Sequence, residues 1–397
     1  MHAMFVSIQI KRCVVFTVGC CRKVVGSRET ARLTAELFRT VISLQRVTSA
    51  ALVEVVRDVG QKLIAANPVE LAVGNIVRRV LRIIRDSDLS LEVEGLTLVS
   101  QGDDGDVVEE DDKPFRLSDA ISQTIFHPPS LVAQLESKPN LVRHFEGKAD
   151  KTPRSWQFKH HIIEGVNDLI EDINTCHELI ADQALELIHQ NEVILTLGHS
   201  RTVKNFLYAA KEKKRSFHVY VAEGAPKHLG HVLANELAEK HLRTTVIPDS
   251  SVFAMISRVN MVIVGVHAVM ANGGVIAPVG MNMVALAAKR HAVPFVVVAG
   301  THKLCPLFPN NPEVLLNDMR CPSELLPFGD FSDCMDYSVG SGAPHLHVVN
   351  PAFDYVPPEL VSLFVTELGG YHPSYIYRLI ADYYSDDDIV LQQKPAC

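Results

Sequence analysis

The sequence predicts an α/β protein in which an N-terminal helical domain is followed by a Rossmann-like, doubly wound parallel sheet domain. Three observations carry this. From residue 190 onward, short Val- and Ile-rich runs recur about every 25 residues, with helical segments between them. Those runs are apolar throughout rather than alternating, as expected of strands covered on both faces. Upstream of residue 190, apolar residues recur instead at helical spacing. Alternating strand and helix closes most simply into a parallel sheet with right-handed crossovers.

The elements follow in order. A first helix, 29-ETARLTAELFRTVISL-44, places Leu33, Leu37, Val41 and Leu44 on one face. A second, around 49-SAALVEVVRDVGQKLIAA-66, carries Leu52, Val55, Val56, Val59 and Leu63. Asn67-Pro68 reads as a cap with proline at the first helical position, opening a third helix that ends in 77-VRRVLRIIRD-86. Arg78, Arg82 and Arg85 share its polar side; a solvated face is the preferred reading over a contact surface for an acidic partner. Residues 100–114 interrupt the pattern with seven acids and two glycines, the composition of a disordered, solubilising insertion. Periodicity returns over 158–190, where Ile162, Val166, Leu169, Ile170, Ile173, Ala184, Leu185 and Ile188 recur. Strands are then predicted at 192–198, 217–224, 244–250, 261–266 and 294–300. Helices fall at 201–214, 229–241, around Phe253 and Ile256, and at 282–291. The predicted domains are therefore 25–190, helical with the insertion, and 191–390, α/β. Residues 1–24, with two short apolar stretches split by Lys11 and Arg12, read as an irregular extension without the layout of a signal peptide.

Composition excludes several classes. The chain has 397 residues, 47% hydrophobic and 21% charged, enough for a substantial core. A net charge of -8 argues against direct nucleic-acid binding by the whole chain. The eight cysteines are scattered with no C-x-x-C pair, and no His/Cys set has zinc-ligand spacing. They read as reduced thiols of a cytosolic protein. Residues 259–288 lack Asp, Glu, Lys and Arg. Their three asparagines, Pro278 and four glycines fit a buried strand, turn and helix better than a membrane span.

Ligands of such sheets bind beyond the C-terminal strand ends. The ends considered are Gly198-His199-Ser200, Ala222-Glu223-Gly224, Pro248-Asp249-Ser250 and the loop 264-VGVHAVMANGGVIAPVG-280. No G-x-G-x-x-G follows the first strand and no phosphate-cradling G-x-x-x-x-G-K-[ST] occurs, so no nucleotide or other cofactor is expected. His199 and Ser200 are sequence neighbours, a poor arrangement for a nucleophile and its base, and no G-x-S-x-G elbow is present. Asp249 is a catalytic acid or, at least as readily, a helix N-cap with Ser250 as rival. His267 sits where strand gives way to loop and reads as structural. Asn272-Gly273-Gly274 has the shape of an anion nest, but the loop holds no Lys or Arg.

The stretches 26-GSRETA-31, 74-GNIVRRVLRIIR-85, 199-HSRTV-203, 257-SRVNMVIVG-265, 284-VALAAK-289, 350-NPAFDYVPPELVSLFVTELGG-370 and 373-PSYIYRLIADYY-384, with V-G-x6-N-G after a strand, resemble one family. It joins the regulatory subunits of eukaryotic initiation factor 2B with the methylthioribose-1-phosphate and ribose-1,5-bisphosphate isomerases, and the resemblance spans residues 24 to about 390. The resemblance implies that the isomerase cysteine falls at Ser200, the isomerase aspartate at His267 and its following arginine at Ala268. A loop lysine of the isomerases is replaced by Pro278 or a close neighbour. Proton transfer and phosphate grip need a group of suitable pKa and a cation. On this reading His199, Ser200, Asp249, His267, Asn272 and Gly273 form a vestigial pocket with no catalytic residue and no metal.

The resemblance further implies a two-fold decamer. Alpha, beta and delta subunits form its regulatory hexamer, and gamma and epsilon subunits are the catalytic partners. The regulatory part serves as a platform that binds the alpha subunit of initiation factor 2 and senses its phosphorylation. Candidate subunit contacts are the proline- and aromatic-rich segments around Phe308 and Pro309 and around Phe353, Tyr355 and Pro357, with core cover as the alternative. Two other readings stay open: a sugar-phosphate isomerase, and a sugar-phosphate sensor without turnover.

Overall fold

A computed structural model describes residues 26–45, 48–100, 152–310, 318–326 and 347–391 of the chain. The predicted extension 1–24, residues 101–114 of the acidic insertion and residues 311–316 of the proline-rich segment lie outside the described residues. Helices open the described chain: α1 (Ser27–Leu44), α2 (Ser49–Ala66), α3 (Leu71–Ser100) and α4 (Thr152–Asp182), then a single turn, α5 (Ala184–Leu187). The apolar residues at helical spacing are the ones that leave water. In α2 these are Leu52, Val56, Val59 and Leu63. In α1 the buried line runs through Ala31, Ala35, Phe38 and Ile42 beside Leu37 and Val41, while Leu33 is half-buried and Leu44 exposed. The stripe is rotated by about one position from the predicted face because it follows the bulkier Phe38.

Two helix limits depart from the sequence reading. Helix α3 starts at Leu71, since Pro68 lies in a turn; it then runs past Asp86 to Ser100, with one glycine and no proline to stop it. The predicted helix over 158–190 breaks at Gln183, between α4 and α5. The chain divides into two compact units, residues 1–86 with 161–397, and residues 87–160. All the strands belong to the first.

The second part alternates as predicted: β1 (Val193–Leu197), α6 (Arg201–Glu212), β2 (His218–Ala222), α7 (Leu229–Glu239), β3 (Arg243–Ile247), α8 (Val252–Met255) and β4 (Met261–Gly265). Next come β5 (Ala268–Val269), β6 (Val275–Pro278), α9 (Met281–Arg290), β7 (Phe295–Val298), β8 (Phe353–Val356), β9 (Leu363–Thr366), β10 (Gly369–Tyr371) and α10 (Ile376–Tyr383). The seven-stranded sheet has the order β10-β9-β7-β4-β1-β2-β3. Its neighbours are parallel except β10 and β9. The chain moves outward from β1 to β3 and then returns to β4 on the other side of β1, which makes the β1–β4 pair the topological switch point. The apolar strands β4 and β7 are sandwiched as predicted. Edge strand β3 is not: Arg243, Thr245 and Val246 face solvent, because a strand with one neighbour needs cover on fewer sides and its threonines tolerate water.

The glycine-rich stretch is not a free loop. Ala268-Val269 and Val275-Ile276-Ala277-Pro278 form the hairpin β5–β6, which β8 completes as a three-stranded antiparallel sheet. Short apolar runs on both sides of Asn-Gly-Gly are a hairpin signal, and it prevails here. No helix among the described residues is long and apolar enough to cross a membrane.

The arginines of α3 do not form a solvated face. Arg78 is buried and donates through Nε and Nη2 to Ile389 O, at 3.1 Å each. Arg82 donates to Ala381 O and Tyr384 O. Arg85 reaches both oxygens of Asp388, at 2.9 and 3.0 Å, and Arg57 of α2 adds a third bond at 3.0 Å. The acidic partner is the chain's own C-terminal turn, 385-SDDD-388. Asp388 is fully buried, so its charge relies on these guanidinium groups. Asp388→Ala leaves two arginines without their shared acceptor and unpins the C-terminal segment from α2 and α3. Urea unfolding is expected to show a loss of about 3 kcal/mol, with Arg82→Ala costing much less.

Candidate functional site

At the switch point the ends of β1 and β4 come together. Glycine at 265 permits this contact, since a Cβ there would collide with Ser200 Oγ and Cβ. Ser200 is the N-cap of α6, and its hydroxyl accepts from Val203 N at 3.5 Å. At this reversal of the sheet the capping hydroxyl packs directly on the Gly265 backbone. His199 points elsewhere, with Nε2 at 2.9 Å from Glu236 Oε2; Lys204 Nζ holds the other oxygen at 3.0 Å. Burial alone would raise the Glu236 carboxyl, but hydrogen bonds from Lys204 and His199 outweigh it and hold it below its ordinary value. The structure separates the adjacent His199 and Ser200 into two unrelated contacts.

Asp249 is not the cap of the helical turn that follows, where Pro248 holds that position. Its carboxylate reaches sideways and accepts from Gly224 N at 2.9 Å and Ala225 N at 2.7 Å, tying the end of β3 to the end of β2. His267 follows β4. Its Nε2 meets Val69 O at 3.1 Å, so Nε2 carries the proton, and its ring lies 4.6 Å from that of Phe353. The carboxylate of Glu70 is 3.8 Å away.

The Asn-Gly-Gly turn does not form an anion nest. Gly273 N donates to Met270 O and Gly274 N to Asn272 Oδ1, both at 2.9 Å, so the amides are consumed within the turn. Gly273 takes a φ of 80°, with the Pro373 carbonyl where a side chain would go. Asn272 Nδ2 donates to Tyr355 OH at 2.7 Å. Tyr355 and Phe353, candidate contacts for another subunit, thus back the hairpin from within. Pro309 and Pro357 are half-buried, and Phe308 is exposed.

One strand end escaped the sequence reading. Beyond β7, Thr301, His302 and Lys303 are all buried. Lys303 Nζ donates to Val266 O at 2.9 Å, bringing an ammonium to the start of the hairpin that itself contains no cation. Burial pulls Lys303 below its ordinary range, with Glu70 acting in the opposite sense. Thr301 is held by Glu367 through its amide and hydroxyl, and Arg79 Nη2 reaches its Oγ1 at 3.3 Å. Applying the strand-end rule to 294-PFVVVAG-300 as well would have pointed there. Nearby, burial pushes the Cys176 thiol up to about 11. Cys176, Cys305 and Cys321 are free. Lys303 and Lys204 are ammonium groups already engaged, and Ser200, Asp249 and His267 each bond to a different backbone group rather than to one another.

Comparison with known proteins places this geometry. A family model described as the Initiation factor 2 subunit family matches residues 23–373. The chain is 39% identical over 375 residues to the translation initiation factor eIF2B subunit beta of Dictyostelium discoideum, covering 93% of this chain and 94% of that protein. It is 27% identical over 265 residues to the ribose 1,5-bisphosphate isomerase of Archaeoglobus fulgidus, covering 66% of this chain and 78% of that enzyme. The crystal structure of eIF2B beta from Chaetomium thermophilum matches with a TM-score of 0.67 at 25% identity, covering 97% of this chain and 94% of that one.

His302 makes a pH prediction. Its ring is fully buried, neither nitrogen has a hydrogen-bond partner among the described residues, and burial with Lys303 and Arg79 nearby holds its pKa well below 6.5. The unfolded chain therefore binds the proton first. Stability from this site is complete above about pH 6.5 and declines as pH falls below it, by up to about 1.4 kcal/mol per unit. Chemical unfolding from pH 7.5 to 5.5 is expected to show a shallower decline for His302→Leu than for the native chain.

Proposed function

This chain belongs to the initiation factor 2 subunit family, and from that premise we propose that it is a beta-type, non-catalytic regulatory subunit of the guanine-nucleotide exchange factor for translation initiation factor 2. The observation that carries the non-catalytic part is the engagement of the strand ends. Ser200 caps a helix, Asp249 binds two amides, His267 donates to a carbonyl and Asn272 closes its own turn. Each of these groups is hydrogen-bonded within the fold, and these bonds join none of them to another as nucleophile and base.

On this proposal nucleotide exchange belongs to the epsilon subunit, paired with gamma. This chain joins alpha and delta in a regulatory platform in the cytosol, without membrane or direct nucleic-acid contact. The platform binds the alpha subunit of initiation factor 2. Phosphorylation adds charge to that partner and shifts its affinity between two docking modes. A domain division at residue 190 fits the scheme, with the sheet domain meeting related sheet domains. Phe308, exposed beside Pro309, is the strongest remaining candidate for such a contact.

One observation favours a second reading, a sugar-phosphate isomerase. Lys303 supplies, against Val266 at the start of the hairpin, a buried ammonium that the hairpin itself lacks. It stands without a thiol or carboxylate at positions 200 and 267, where the isomerase resemblance places them. The proposal is tested by affinity purification of the tagged chain from cytosol. Recovery with gamma, delta and epsilon subunits is expected, and Phe308→Asp should reduce that yield without changing the chain's own stability. Recovery as a lone chain would contradict the assignment.

A further inference from the structure

We propose that Glu223, His228 and His231 form a binding site for a divalent first-row transition metal, zinc foremost, at the end of β2. This goes beyond the subunit assignment and does not rest on it. Among the described residues, these three bring one carboxylate oxygen and two ring nitrogens within 4.8 Å of one another.

The backbone sets the three side chains in place. Glu223 directly follows β2, and the turn that follows is closed by His228 N to Gly224 O and Gly230 N to Glu223 O, both at 2.9 Å. Asp249 fixes the intervening amides of Gly224 and Ala225 from the neighbouring strand end. His228 then caps α7 in a left-handed conformation, φ 47° and ψ 38°, and His231 lies three residues on in the first turn. That spacing puts both rings on one side of the helix, with centroids 5.3 Å apart and planes 19° from parallel.

Two of the three ligand separations match a tetrahedral metal, and the third lies within 4.8 Å. Glu223 Oε2 lies 3.5 Å from His228 Nδ1 and 3.4 Å from His231 Nε2. Tetrahedral zinc, with bonds of about 2.0–2.2 Å to nitrogen and oxygen, separates its ligands by about 3.3–3.6 Å. Both imidazoles converge on the same carboxylate oxygen. A divalent cation between them would take one electron pair from each of the three. The two imidazoles are borderline ligands that favour zinc, cobalt or nickel over magnesium or calcium, and the carboxylate adds charge. The amide end of α7 disfavours a cation nearby, and the Glu223 charge offsets this. The neighbouring cation, Lys227, is turned toward Glu324 at 3.8 Å. The imidazoles are about half exposed, so the outer coordination positions are open to water or to a partner's side chain.

Spacing alone hides such a site. Its third ligand is a carboxylate five residues before the first histidine, outside the Cys/His patterns that mark zinc fingers.

Zinc and cobalt titration of the purified full-length chain tests the proposal. Calorimetry should give one zinc ion per chain at this site, cobalt should develop the visible absorption of a tetrahedral centre, and zinc should raise the melting temperature. His231→Ala and Glu223→Gln should each weaken zinc binding by at least about tenfold and abolish the cobalt bands, while circular dichroism shows an unchanged fold. Absence of a one-to-one zinc event in the native chain, or an event of equal affinity in both variants, overturns the proposal.

Discussion

The close approach of two strand ends governs the rest of this molecule. Strands β1 and β4 lie side by side at the point where the sheet reverses its winding, and Gly265 lets the Ser200 hydroxyl rest on the backbone. In open parallel sheets this is where a ligand crevice opens. Here the side chain at that point caps a helix and packs on the neighbouring strand end. A methyl group at residue 265 has no room, and a larger residue at 200 would displace the first turn of α6.

From that contact outward, polar groups hold the strand ends to one another. Asp249 ties β3 to β2, His267 ties the end of β4 to the segment before α3, and Lys303 ties the end of β7 back to Val266. Such bonds are individually modest but strongly felt when one partner is removed, because the other is left buried and unpaired. The same logic holds at the C-terminus, where α2 and α3 supply the cations for Asp388. The strand ends are thereby tied to one another by side-chain hydrogen bonds.

Much of the fold is legible in the sequence, and what is not legible has identifiable causes. The strands of the large sheet are continuous apolar runs with glycine, proline or polar residues at their ends, and β1, β2, β4 and β7 fall within a residue or two of their predicted limits. The hairpin β5–β6 is hidden because its strands are very short and its Asn-Gly-Gly turn is equally the signature of a ligand loop. The partner of the α3 arginines is hidden because it lies some 300 residues away, and periodicity carries no information about what a helix faces. The candidate site divides along the same line. Sequence placed Ser200, Asp249 and His267 at the strand ends, but which group each one bonds depends on neighbours brought by other elements. Lys303 shows the opposite failure. Its strand was identified, and only its end was left out of consideration.

The central proposal is that this chain, similar over part of its length to a ribose 1,5-bisphosphate isomerase, is a non-catalytic subunit. Incubating the purified chain with ribose 1,5-bisphosphate and with methylthioribose 1-phosphate, and following both by phosphorus NMR, tests it most directly. The account predicts that neither compound is converted. Conversion that disappears in Ser200→Ala or Asp249→Asn would contradict it.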